Sequence, residues 1–402
     1  MDTILAASVG LLIVAILVAL AARRLSLPYT VGLVATGIGL AFSPLDVGLG
    51  LTHDFIYLVI LPPLLFEAAI SIRWHELRRD MLPVLVLSTL GVAVSAAVVA
   101  GGMVWLLAWP LSAALVFGVL IAATDPVAVI AMFKDLGLKG RLRLLVESES
   151  LFNDGVAAVL FALALAWATA SGEPGPGPVS AVFALLRTAG GGVLIGAGIG
   201  MAAILVAGRA IDHLVAAAVT TAAAYGSFLL AEHWHFSGVL ATVSAGLLVG
   251  NAELLGARAR AGFSQQEREF IHGLWEFAAF IANSFVFLLI GVTVAGIPFA
   301  DFGFGPILAA IGLVLAARAL TVYPLSLPFR STRWAISLRD QHVLWWGGLR
   351  GALALALALS LPAEMPFADA IKIMTFGVVV FSVVFQGVTM PLLLRKLGHV
   401  DS

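Results

Sequence analysis

Cysteine is absent from this 402-residue chain, which excludes disulfides, thiolate metal centres and cysteine nucleophiles. Charge is scarce as well: Asp, Glu, Lys and Arg make up 11% of the residues, against roughly 25% in a soluble globular domain. The charges present nearly cancel, to a formal net charge of −1, so nothing in the balance suggests nucleic acid as a partner. The histidines are scattered, with His233 and His235 in one short loop and His272 alone, and they give no zinc-type spacing. There is no phosphate-binding glycine loop and no nucleophile with a base at useful spacing. An enzyme, ATP-driven transport and a bound cofactor are therefore not expected. No basic run precedes the first apolar stretch, which continues to Leu20, so this segment reads as a retained helix and not a cleaved signal.

What the chain does have is apolar length. Hydrophobic residues make up 61% of it, and they recur end to end in runs near the 20 or so residues that cross a bilayer. Thirteen spans are predicted: 4–22, 28–43, 53–71, 82–108, 111–136, 144–170, 179–208, 213–231, 236–251, 269–296, 304–328, 340–360 and 366–394. Basic residues favour cytoplasmic loops. With the N-terminus outside, the inner loops and adjoining helix ends collect Arg23, Arg24, Arg73, Arg78, Arg79, Lys134, Lys139, Arg141 and Arg143 in the first half. They collect Arg209, Arg258, Arg260, Arg268, Arg330, Arg333, Arg339, Arg395 and Lys396 in the second. The remaining four of the 22 basic residues, Arg187, Arg318, Arg350 and Lys372, fall inside spans. The expected topology is a multi-pass protein of the cytoplasmic membrane, N-terminus out and C-terminus in.

Two spans are interrupted. In span five, Thr124-Asp125-Pro126 separates Leu120-Ile121-Ala122-Ala123 from Val127-Ala128-Val129-Ile130. The proline breaks the helical ladder, and a charge at mid-membrane costs about 2.5–3.5 kcal/mol on insertion scales. In span twelve, Gly347-Gly348-Leu349-Arg350-Gly351 precedes Ala352-Leu353-Ala354. Taken singly, these read equally as a proline kink with a capping Asp and a glycine packing face with a snorkelling Arg. One interruption per half, with opposite charges, instead points to broken helices crossing at the midplane of two inverted repeats. The Gly/Pro-rich stretch 172–178 lies near the middle of the chain. The fold class expected is an all-α polytopic membrane protein with one transmembrane domain, 1–396. Six-helix repeats of about 1–170 and 213–396 would be joined by a linker helix, 179–208, with 397–402 as a short cytoplasmic tail.

Span six opens on Glu147-Ser148-Glu149-Ser150-Leu151-Phe152-Asn153-Asp154-Gly155. The helical period puts Glu149 with Asn153, and Ser150 with Asp154, on adjacent stripes. Acids near a helix start suit its dipole, which accounts for Glu147 but not for Asp154, deep in an apolar run. A hydroxyl and a carboxylate one turn apart offer oxygen ligation to a hard cation such as sodium. Arg318 in span eleven stays charged and needs an acid; Glu149 is the best candidate, since pairing would neutralise Asp154 or Asp125 as cation ligands. Glu67 near the inner end of span three, and Glu276 two turns before Asn283 in span ten, suit a packing or access role as well as ion contact.

These segments resemble the monovalent cation:proton antiporter superfamily, specifically the NhaP-type sodium/proton antiporter branch related to the eukaryotic sodium/proton exchangers. The resemblance is carried by LPPLLFEAAI at 61–70, TDPVAV at 124–129, ESLFNDG at 149–155, ARAL at 317–320 and GGLRGALALAL at 347–357. It implies antiport of Na+, with Li+ or K+ as alternatives, against H+, both competing for Asp154. It implies further cation ligands at Ser150, the Thr124 carbonyl and the Asp125 side chain, and Asn153 as the group holding Asp125 and the broken helix. Glu149 and Arg318 would form a buried structural pair, and Arg350 would balance the helix ends where span twelve unwinds. A homodimer with an elevator-like core in the lipid bilayer is implied too. The electrogenic branch of the superfamily has two adjacent acids where Asn153-Asp154 supplies one, so one-for-one, electroneutral exchange is expected. A K+-selective antiporter and a passive cation channel remain open at this point.

Overall fold

The computed structural model describes residues 2–25, 28–43, 51–170, 177–208, 212–255 and 265–400. Residues 172–176 of the Gly/Pro stretch, Arg209, Arg258, Arg260 and residues 401–402 of the expected tail lie outside the described residues.

The described chain is helical, with no strand. In order come α1 (Asp2–Leu25), α2 (Tyr29–Ala41), a π-helical turn Phe55–Ile60 leading into α3 (Leu61–Ser71), α4 (Trp74–Leu107), α5 (Leu111–Leu120), α6 (Val127–Asp135) and α7 (Arg141–Thr169). The second half has α8 (Pro178–Ala207), α9 (His213–His233), α10 (Gly238–Gly250), α11 (Gln265–Ala295), the short α12 (Phe299–Phe302) and α13 (Phe304–Ser326). It ends with α14 (Leu338–Trp346), α15 (Ala352–Leu359), α16 (Ala368–Phe381) and, after a π-helical turn, α17 (Gly387–Lys396).

Among the described residues, seven helices are individually long and apolar enough to cross a membrane: α4, α7, α8, α9, α11, α13 and the run from α16 through α17. Shorter apolar helices are Ser8–Ala22, Tyr29–Ala41, Phe55–Ser71, Leu111–Leu120 and Gly238–Gly250. The chain is thus a multi-pass membrane protein. Its outward face agrees: α8 leaves Val179 84%, Phe183 68% and Leu194 75% exposed, a surface that lipid tolerates and water does not.

Two groups of helices pack within themselves. One comprises α4, α5, α6, α7, α13, α14, α15, α16 and α17; the other α1, α2, α3, α9, α10 and α11, with α8 lying against α7, α9 and α10. Small residues set the closest approaches, as they do wherever apolar side chains gain nothing from leaving lipid. Gly37 of α2 lies on Leu288 and Gly291 of α11, and a methyl group on either glycine would run into the other helix's backbone. Tyr29 stacks on Phe280 in the same pair. Since Tyr29 precedes Gly37 and Phe280 precedes Gly291, α2 and α11 run parallel, as two even-numbered spans would.

Candidate functional site

The interruption expected in span five separates α5 from α6. A residue before proline is steered out of the helical region, and the backbone leaves the helix over residues 121–126. The interruption in span twelve separates α14 from α15 at residues 347–351. The two gaps cross. Asp125 N–H donates to the Leu349 carbonyl at 2.8 Å, and Gly351 lies so close to the Asp125 side chain that a methyl group there would overlap the carboxylate.

Every half-helix end at this crossing has a partner, as a helix buried away from water requires. The Asp125 carboxylate accepts from Val127 N–H of α6 at 2.9 Å, and the Ala352 amide of α15 lies beside it. One negative charge thus serves the positive ends of two helices. Arg350 reaches the other way, donating from Nη1 to the carbonyls of Ala122 at 2.6 Å and Ala123 at 2.9 Å. It therefore caps the end of α5. It does so at the crossing where span twelve unwinds, and at 1% exposure it does not snorkel. The end of α14 is held instead by Arg318, whose Nε and Nη2 both donate to the Leu344 carbonyl at 3.2 Å, and by Gln386, which donates to the Trp346 carbonyl at 2.9 Å.

On α7, Glu149 accepts two bonds from Arg318, at 2.7 and 2.8 Å, in a pair almost closed to solvent. Asn153 accepts from Thr124 N–H at 3.1 Å and donates to the Thr124 hydroxyl at 2.5 Å; that hydroxyl also bonds Ser150 at 3.0 Å. Asn153 does hold the broken helix, but through Thr124 and not through Asp125, which turns to the two helix ends. One turn of α7 further from Ser150 is Asp154. Its Oδ1 is buried and has no hydrogen-bond partner among the described residues, and its charged neighbours are Asp125, Glu149 and Arg350.

A cavity of about 310 Å³ opens onto this acid. Its wall carries Thr124, Asp125 and Asp154 from the crossing group, and Tyr29, Thr30, Glu67, Glu276 and Asn283 from α2, α3 and α11. Among the lining charges, Lys134 meets Glu276 at 3.0 Å, and Glu147 meets Arg143 at 3.6 Å. In the sequence the helix dipole accounts for Glu147, and nothing in Tyr29-Thr30, a short polar pair beside a proline, marks it as a cavity wall. Of the expected site residues, Thr124, Asp125 and Asp154 line the cavity, whereas Glu149, Ser150, Asn153, Arg318 and Arg350 form a buried polar layer around the crossing.

A multi-pass helical protein in which two broken helices cross beside an unpartnered buried carboxylate has the architecture of a secondary ion transporter, not of an enzyme. The chain belongs to the sodium/hydrogen exchanger family: residues 10–396 match the family described as "Sodium/hydrogen exchanger, transmembrane". It is similar to the Na(+)/H(+) antiporter ApNhaP of Aphanothece halophytica, with 39% identity covering 93% of this chain and 70% of that one. It is also similar to the Na(+)/H(+) antiporter NhaH of Halobacillus dabanensis, with 34% identity over 97% of both chains. In fold it matches the sodium proton antiporter MjNhaP1 from Methanocaldococcus jannaschii, with a TM-score of 0.74 at 20% identity, covering 98% of this chain and all of the other.

Proposed function

We propose that this protein exchanges sodium for protons across the cytoplasmic membrane, one for one, with both ions competing for Asp154. The observation that carries the reading is the free, buried Asp154 oxygen facing the cavity beside the helix crossing. Every other buried acid around the crossing is committed: Glu149 to Arg318 and Asp125 to two helix ends. Asp154 has a buried oxygen with no partner among the described residues, left for a transported ion. The cation is held by Asp154 with the Thr124 carbonyl, the Ser150 hydroxyl and the Asp125 side chain, an all-oxygen set suited to a hard monovalent ion. Asn153, Glu149, Arg318 and Arg350 keep those ligands in place.

Alternation follows from charge. With sodium or a proton on Asp154, the site's negative charge is cancelled and the crossing group can pass the hydrophobic barrier. With neither, it carries an unbalanced charge that the bilayer opposes. Coupling comes from that penalty.

Thirteen spans, N-terminus out and C-terminus in, form the architecture we infer. Contacts support two inverted repeats, 1–170 and 213–396, joined by α8. Counting spans, the second packs on the tenth through α2 and α11, and the third on the ninth through α3 and α10; adding seven to a span number exchanges these two pairs. Helices α1–α3 and α9–α11 would then form the stationary, dimerising unit and the crossing group the moving one.

The test is proton movement in proteoliposomes loaded with a pH dye, on addition of sodium, lithium or potassium. Proton efflux from wild type and none from Asp154→Asn is the expected result. Cation flux without proton movement would refute exchange and leave a channel.

A further inference from the structure

The crossing group supplies only one wall of the cavity. We infer that Thr30 and Asn283, on the opposite wall, complete the coordination of the transported cation and set its size selectivity. The inference rests on the antiport reading above and concerns the same site.

Thr30 is 2% exposed, lines the cavity, and its hydroxyl has no hydrogen-bond partner among the described residues. A helical threonine ordinarily bonds back to a carbonyl one turn earlier, as Thr321 does with Ala317 at 2.7 Å. Thr30 has no such recourse, because α2 begins at Tyr29 and no turn of that helix precedes it. A buried hydroxyl left unsatisfied is costly, so its position on a cavity wall calls for a ligand. Asn283 lines the same cavity and its amide makes no hydrogen bond among the described residues.

The two side chains are held at one level. Tyr29, beside Thr30, stacks on Phe280 at 5.5 Å and shares a 2.7 Å hydrogen bond with Ser284, beside Asn283. Two turns along, the Gly37–Gly291 approach fixes the spacing of α2 and α11. The wall is therefore rigid and places two neutral oxygen-bearing side chains on the same cavity that Asp125 and Asp154 line. Neutral oxygens suit a transport site because they replace water in the ion's shell without adding charge that would hold the ion against release. Rigid spacing favours one ion radius over another.

Sodium-driven proton movement in proteoliposomes would be measured for wild type, Thr30→Val, Thr30→Ser and Asn283→Ala, alongside sodium binding to the purified proteins by calorimetry. Thr30→Val keeps the side chain's shape while removing the oxygen. We expect Thr30→Val and Asn283→Ala each to raise the sodium KM and Kd roughly tenfold, to keep turnover at saturating sodium, and to change the lithium-to-sodium KM ratio. Thr30→Ser should match wild type. An unchanged KM and ion ratio in both oxygen-deleting variants would overturn the inference, as would a Thr30→Ser protein as impaired as Thr30→Val. A wild type with neither exchange nor sodium binding would instead bring down the antiport reading, and this inference with it.

Discussion

Asp154 and Glu149 stand five residues apart on one helix and lead opposite lives. Glu149 is spent on Arg318 through two short bonds; Asp154 retains an oxygen with no partner among the described residues. Replacing Asp154 with its amide, and removing the partner of Glu149, should separate the roles. Asp154→Asn keeps the shape and is expected to abolish sodium-driven proton movement while leaving yield and thermal unfolding near wild type, as fluorescence-detected size exclusion after heating would show. Arg318→Ala strands a buried carboxylate and uncaps α14. A broken buried pair costs about 3–5 kcal/mol, so this variant should lose yield and thermal stability; wild-type stability would argue against the pair as a structural element. Both acids and the pairing were legible in the sequence, because a charge in an apolar run is conspicuous and must be answered. Thr30 and Asn283 were not. A lone hydroxyl or amide in a helix has ordinary explanations, and only the three-dimensional cavity removes them.

The half-helix is the next scale. The sequence located both breaks, at Asp125-Pro126 and at the glycines around Arg350, since proline and glycine clusters interrupt helices wherever they fall. Which charge caps which end depends on the register of the crossing, and no local pattern encodes that. That Arg350 would balance helix ends at this place could be read from the sequence, but not that it holds Ala122 and Ala123 of the other span. Gly351 tests the register. A methyl group there would meet the Asp125 carboxylate, and overpacking of this sort costs about 1–3 kcal/mol. Gly351→Ala should therefore displace Asp125 from its two amides and depress exchange at least tenfold, while Gly348→Ala would press on Arg318 and reduce stability as well. Turnover and melting temperature of the two purified variants, measured side by side, check the distinction.

For the whole molecule, the proposal of a single exchanging carboxylate has two measurable consequences. Protons and sodium should compete: acidifying the sodium side raises the apparent sodium KM while leaving maximal turnover unchanged, as initial rates at several pH values would reveal. One proton for one sodium moves no net charge, so voltage-clamped proteoliposomes should carry no transport current, although each uncompensated charge would be worth about 2.3 kcal/mol per 100 mV. A steady current would exclude one-for-one exchange. That the chain is an all-helical, multi-pass membrane protein followed from hydropathy. The grouping of helices did not, because apolar surfaces that face lipid and apolar surfaces that face protein read alike in a sequence.

The reciprocal capping at the crossing also bears on how the chain can be divided. α5 ends on an arginine from the far half, and α15 begins on an aspartate from the near half. A gene cut near the start of α8 would yield two fragments, each with a broken helix whose exposed carbonyls or amides find no partner in hydrocarbon. Neither fragment should accumulate alone. Expressed together, each supplies the charge the other lacks, and reassembly from two polypeptides becomes a direct assay of whether the crossing forms.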